Sequence, residues 1–223
     1  MMEKIRQHTR VNDIFLGPLE RPALQWLAAH MPIWVTPDLC TVIGTLGALL
    51  TLVSYGLSNI SPNYLWLASV GFFINWFGDS LDGTLARYRH IERPRYGYYI
   101  DHTIDVVCQV MIFLGLGLTP YISFNIACLT LISYLLLSVL VYIRTYVVGE
   151  FKISYGKLGP TESRAIAVLL NMAMYFFGMQ SIMLGPAYIS IYDIFVAAIA
   201  LLLTGFFVNT ALQEAHKLAA LGE

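Results

Sequence analysis

Six long apolar stretches, at residues 39–58, 63–78, 98–118, 121–143, 163–185 and 190–211, are separated by short polar connections. Several approach the twenty or so residues that an α-helix needs to cross a hydrocarbon layer. The pattern predicts an all-α integral membrane protein, with residues 35–223 forming one domain of six transmembrane helices. The first 34 residues read differently. Basic side chains are interspersed there with Ile5, Val11, Ile14, Phe15, Leu16, Leu24, Trp26 and Leu27, and the run is broken at Gly17-Pro18 and Pro22. Residues 1–34 are therefore expected to form an N-terminal amphipathic interfacial segment of short helices lying at the cytoplasmic face. Pro37 opens the first span, with Asp38 and Thr41 in its first turn. Nothing breaks the helix between Tyr64 and about Arg89, so the second span runs past the membrane edge. Pro94 closes the next loop, the third span begins near Gly97, and the fourth runs into Arg144. Pro160-Thr161-Glu162 starts the fifth, and Gly185-Pro186 separates it from the sixth.

Composition agrees with a membrane location: 57% of residues are hydrophobic and 12% charged, against about 25% charged in an average soluble domain. The net charge of −1 is uninformative, but the placement of the thirteen Lys and Arg residues is not. They precede the first span, lie between spans two and three and between spans four and five, and end with Lys217 after span six. Under the positive-inside rule, both termini and both basic loops face the cytoplasm. The first apolar run begins only near Leu39, so no signal peptide is visible. Cys40, Cys108 and Cys128 fall inside spans without metal-ligand spacing and are expected to pack as small apolar residues. No nucleic acid partner is expected.

Four carboxylates interrupt this apolar chain in two helix-spaced pairs, Asp79 with Asp82 and Asp101 with Asp105. A charge at a bilayer centre costs roughly 2.5–3.5 kcal/mol on insertion scales, so something must offset the group. Residues three or four apart share a helix face. Gly83 and Ala86 lie on the face of the first pair and Gly97 at the start of the partner helix, where small residues let helices approach. A short loop makes the two helices antiparallel neighbours, which brings all four carboxylates to one point. The alternative, that they are solvated helix-end residues, suits one aspartate but not two matched pairs. Hard octahedral ions such as Mg²⁺ (or Mn²⁺) take one or two carboxylates each and leave positions for substrate phosphate. Two such ions about 3.5–4 Å apart clamp a phosphoryl group during displacement.

The run Asp79-x-x-Asp82-Gly83-x-x-Ala86-Arg87, followed by Gly97-x-x-x-Asp101-x-x-x-Asp105, resembles the signature of the CDP-alcohol phosphotransferases, six-helix membrane enzymes of phospholipid synthesis. Eight fixed positions within twenty-seven residues make the match specific, although the stretch between Arg87 and Gly97 is one residue longer than is usual. The resemblance implies that Asp79, Asp82, Asp101 and Asp105 hold two divalent ions, with Asp105 also the general base. It implies donor contacts at Gly83, Ala86, Arg87 and Gly97. Pro37-Asp38-x-x-Thr41 resembles the Pro-Asn-x-x-Thr that often opens the first helix of this family, so Asp38 and Thr41 could touch the nucleotide or serve only the helix start.

The implied reaction is attack of an alcohol on the phosphorus distal to cytidine, with release of CMP. CDP-diacylglycerol with a polar alcohol acceptor is the first reading of the substrates. Gly159-Pro160-Thr161-Glu162 and the Asp101-His102 pair resemble segments of the choline and ethanolamine phosphotransferases, which would make a CDP-aminoalcohol the donor and a diacylglycerol-like lipid the acceptor. Glu162 or His102 would then help to deprotonate the acceptor; otherwise Thr161 and Glu162 simply cap the fifth span. Arg144, Lys152, Lys157 and Arg164 could bind an anionic acceptor group or reflect the positive-inside rule alone. Gly44 and Ala48 form a small-xxx-small pair, suited to packing within the bundle or to a homodimer contact. Rival classes are an aromatic prenyltransferase, which usually needs more helices, and an ion transporter using the carboxylates as its pathway.

Overall fold

The computed structural model describes residues 9–11, 15–152, 159–184 and 187–221. The chain runs β1 (Thr9–Val11), α1 (Gly17–His30), α2 (Pro37–Leu57), α3 (Tyr64–Tyr88), α4 (Pro94–Gly117), α5 (Phe124–Val148), β2 (Glu150–Lys152), α6 (Pro160–Phe177), β3 (Ser181–Leu184), β4 (Ala187–Ser190) and α7 (Ile191–Ala220). Helices α2 to α7 correspond to the six expected stretches. Four of them, α2, α4, α5 and α7, are long and apolar enough to cross a membrane. Helix α3 carries charge at its far end, and α6 has only 18 residues.

The helix starts follow their sequence signals. Thr36 accepts the Leu39 amide at 3.2 Å as α2 begins, and Pro37, Pro94 and Pro160 occupy first-turn positions where a missing N–H costs nothing. Two expectations fail. Residues 17–30 form one helix rather than pieces broken at Pro22, because Leu24 and Ala28 bury its inner face against α3. The fifth span stops at Phe177, where Gly178 adopts φ 64°, and the apolar residues beyond form the β3–β4 hairpin with Ser181 opposite Ser190. Strand β1 pairs in parallel with β2, so the helical fold carries two small strand pairings.

The bundle is organised around α2, which packs against both α3 and α4. At the α2–α3 crossing the backbones touch through glycine. A Cβ on Gly47 would lie 2.8 Å from the Gly71 carbonyl, and one on Gly78 would run into the Gly44 backbone. Ala48 is fully buried, so the Gly44–Ala48 face is used inside this chain and is not left open for a homodimer. Gly83 and Gly97 do not serve close approach as expected. The nearest atoms to a Cβ on Gly83 would be those of the Arg87 guanidinium on its own helix, and Gly97 faces open space. Helices α3 and α4 in fact make little direct contact, and the gap between them is where the carboxylates stand.

Two clusters hold the ends of the bundle. Leu24, Ala28, Val35, Cys40, Leu81 and Leu85 join α1, α2 and α3. At the other end Tyr55, Leu65, Phe72, Leu116, Met174 and Val196 pack together, with Tyr55 donating to Asn171 at 2.8 Å. The Arg89 guanidinium donates to the carbonyls of Met31 (2.9 Å), Pro32 (2.8 Å) and Val35, fixing the elbow between α1 and α2.

Candidate active site

Asp79 projects from α3, and Asp101 and Asp105 project from α4, one turn apart. Carboxylate oxygens of these three lie within 4.8 Å of one another. Asp82 is turned towards α2 instead. It accepts from the Thr41 hydroxyl at 2.7 Å and from the Gly83 amide at 2.5 Å. The structure thus gathers three of the four aspartates and holds the fourth beside them through Thr41.

Helix α6 completes the cluster from the far side. Arg164 donates from Nη2 to Asp79 at 2.6 Å and from Nε to Asn75 at 2.8 Å. Asn75, 2% exposed, in turn donates to the Gly44 carbonyl at 3.0 Å. The guanidinium therefore aims the carboxylate, and the amide aims the guanidinium. Asn75 was not anticipated; its position four residues before Asp79, on the same face, was the available signal.

The other expected residues are placed as follows. Asp38 pairs with Arg93 at the mouth of the α3–α4 loop and raises the Arg93 pKa above its ordinary value. Arg87 donates to Thr84 at 3.2 Å beside Gly83, while Ala86 is half-buried. His102 stacks on Tyr98 with ring centroids 4.0 Å apart and lies edge-on to Tyr142. Glu162 is committed to backbone: its oxygens accept from the Gly159 amide at 2.9 Å and from the Leu16 amide at 2.8 Å. Arg144 forms an ion pair with Glu214 at 3.2 Å, which ties α5 to the end of α7. Lys152 ends β2, and Lys157 lies outside the described residues.

A cavity of about 1300 Å³ opens from the carboxylates. Asp79, Asp82, Asp101, Asp105, Arg87 and Arg164 line its polar end, and Leu116, Leu170, Ile199 and Leu203 line its apolar reach. A smaller space of about 10 Å³ lies among Thr41, Thr45, Asn75 and the three clustered aspartates, about the size of one water-sized sphere.

The profile of the CDP-alcohol phosphatidyltransferase family matches residues 34–210. The chain belongs to this family. Among CDP-alcohol phosphatidyltransferase relatives, cholinephosphotransferase 1 of Gallus gallus is 26% identical over 187 residues, covering 79% of this chain and 55% of that protein. The archaetidylinositol phosphate synthase of Pyrococcus horikoshii is 31% identical over 138 residues, covering 62% of this chain and 65% of that one. The phosphatidylinositol phosphate synthase of Cutibacterium acnes is 40% identical over 96 residues, 41% of this chain and 40% of that one. The chain spans about half the length of the cholinephosphotransferases it matches. The crystal structure of Mycobacterium tuberculosis phosphatidylinositol phosphate synthase with CDP-DAG bound superposes with a TM-score of 0.57 at 21% identity, covering 87% of this chain and 90% of that one. That likeness concerns the fold.

The apolar helices and the family together make this an integral membrane protein. The family's divalent metal fits the carboxylates of Asp79, Asp101 and Asp105. Three hard oxygen donors converge in one group, and the single guanidinium paired with Asp79 offsets only part of their charge.

Proposed function

We propose that this chain transfers the substituted phosphate of a CDP-alcohol to the hydroxyl of a second alcohol and releases CMP. The observation that carries the reading is the convergence of Asp79, Asp101 and Asp105 at the polar end of a cavity whose other end is apolar. That shape suits a phosphate-bearing head group attached to a lipid tail. In this reading all six helices from α2 to α7 span the membrane, residues 1–34 lie at its surface, and the site and both termini face the cytoplasm. The placement of Lys and Arg supports that orientation.

Asp79, Asp101 and Asp105, with Asp82 beside them, would hold two Mg²⁺ or Mn²⁺ ions, which supply Lewis-acid stabilisation of the diphosphate charge. Arg87 and Gly83 bind the nucleotide diphosphate, with Ala86, Gly97, Asp38 and Thr41 shaping that end. Asp105 accepts the proton of the acceptor hydroxyl as its oxygen bonds to the phosphorus distal to cytidine. The bond from that phosphorus to the bridging oxygen breaks, and CMP leaves with the electron pair. Arg164 keeps Asp79 in place and, with His102, faces the space left for the acceptor.

CDP-diacylglycerol with a polar alcohol is the favoured pair, since a cavity lined by both carboxylates and apolar side chains suits a donor that carries a diphosphate and acyl chains in one molecule. The reverse pair, CDP-choline or CDP-ethanolamine with a diacylglycerol-like acceptor, draws support from the match to cholinephosphotransferase 1 across most of the chain. Purified protein with Mg²⁺ is incubated with each donor, with and without polyol or diacylglycerol acceptors. Acceptor-dependent CMP release is expected with one donor only. No CMP with any CDP-alcohol would sink the reading.

A further inference from the structure

Glu20 lies in the first turn of α1 and reaches two other helices with one oxygen. Its Oε1 accepts from Trp76 Nε1 at 2.9 Å, Ser80 Oγ at 3.1 Å and Thr161 Oγ1 at 2.9 Å. Trp76 and Ser80 stand one turn apart on α3, and Thr161 stands in the first turn of α6. Hydrogen bonds to a carboxylate are stronger than neutral ones, so a single side chain draws three helices together at this point.

The node connects to both halves of the site. On α3, Thr84 donates to the Ser80 carbonyl at 3.0 Å, and Arg87 donates to Thr84 at 3.2 Å. This ladder runs from Glu20 along one face of α3 to the guanidinium assigned above to the diphosphate. On α6, Thr161 lies three residues before Arg164, the residue that aims Asp79. A second tie fastens the same region, since the Leu16 amide donates to Glu162 just ahead of α1. Glu20, Arg21 and Gln25 also line the cavity alongside Gly83 and Arg87. Helix α1 is therefore a wall of the nucleotide end of the cavity, whereas Ile199 and Leu203 belong to the opposite end.

We propose that Glu20 is a positioning residue for the CDP-alcohol donor: it seats α1 against α3 and α6 and so sets the face of α3 that carries Arg87. The inference rests on the transferase reading above. It makes donor binding, rather than acceptor binding or overall folding, the quantity that depends on this side chain.

The test uses the full chain in lipid nanodiscs, with CDP affinity measured by calorimetry in Mg²⁺ alongside KM for donor and acceptor. Glu20→Ala should raise donor KM and the CDP dissociation constant about five- to tenfold, and leave acceptor KM within about twofold. Glu20→Gln, which keeps an acceptor oxygen, should recover most of the loss. Arg87→Ala should cost less CDP affinity in the Glu20→Ala background than alone, because linked residues are not additive. Thr161→Val and Ser80→Ala remove one donor each; each should show part of the effect if Glu20→Ala does not fold. CDP affinity and donor KM within about twofold of the parent, whatever happens to Tm, overturn the proposal, as does full additivity with Arg87→Ala. Calorimetry with CDP needs no turnover, so a parent that releases no CMP counts against the transferase reading alone. A parent and a Glu20→Ala variant that bind CDP equally count against this one.

Discussion

In the proposed mechanism Asp105 and Arg164 do opposite things at the same carboxylate cluster: one takes a proton, the other holds Asp79 still. Asp105→Asn should therefore lower kcat by about 10²–10⁴-fold while donor KM changes little, and an unaltered turnover number rejects the base assignment. Arg164→Met acts through Asp79. Removing one partner of a buried ion pair costs about 3–5 kcal/mol, and here it leaves three carboxylates without their guanidinium. The loss should be larger in EDTA than in saturating Mg²⁺, because divalent cations offset the same charge. Denaturation in the two buffers checks this, and an equal loss in both rejects the cluster as a cation site. The aspartates were legible because helix spacing alone puts 79 with 82 and 101 with 105 on shared faces. The rotation of Asp82 towards Thr41 and the reach of Arg164 to Asp79 were not, since each depends on a contact far away in the chain.

Among the elements, the α2–α3 crossing leaves the least room. A Cβ on Gly47 would sit 2.5 Å from the Asn75 amide nitrogen, and helix backbones cannot give way as a flexible side chain does. Gly47→Ala should destabilise the protein by about 1–3 kcal/mol and disturb Asn75, so metal affinity should fall with it. Gly205→Ala on α7 meets nothing within 4 Å and should be neutral or stabilising by up to about 1 kcal/mol. Thermal melts of the two variants separate a packing requirement from a general glycine effect; equal Tm values contradict the close crossing. Helix α3 was readable to its end because no breaker stands between Tyr64 and Tyr88. The β3–β4 hairpin was not, because Ser181–Ser190 is as apolar as a continuing helix and its two-residue periodicity is too short to register. The separation of α3 from α4 also escaped sequence reasoning. A short loop makes helices antiparallel, but α2, packing against both, is what keeps them apart.

At the scale of the whole molecule, charge and grease are arranged along one cavity. Helix α6 packs against α3 and α7 against α5, and the space between them runs from the carboxylates to Ile199 and Leu203. In the proposed reading a nucleotide fills the polar end, and only a substrate with an acyl chain gains from the other. Burying apolar surface is worth roughly 25 cal/mol per Å², so blocking that reach should weaken the lipid substrate and spare CDP itself. Ile199→Trp adds volume to the cavity wall one helix turn from Leu203. It should raise KM for the lipid-bearing substrate about tenfold, equivalent to about 1.4 kcal/mol, with CDP affinity unchanged. The substrate whose KM rises is the one that carries the lipid, so one variant separates a CDP-diacylglycerol donor from a diacylglycerol-like acceptor. If neither KM moves while the protein stays folded, the apolar reach does not hold an acyl chain, and the cavity's length has another purpose.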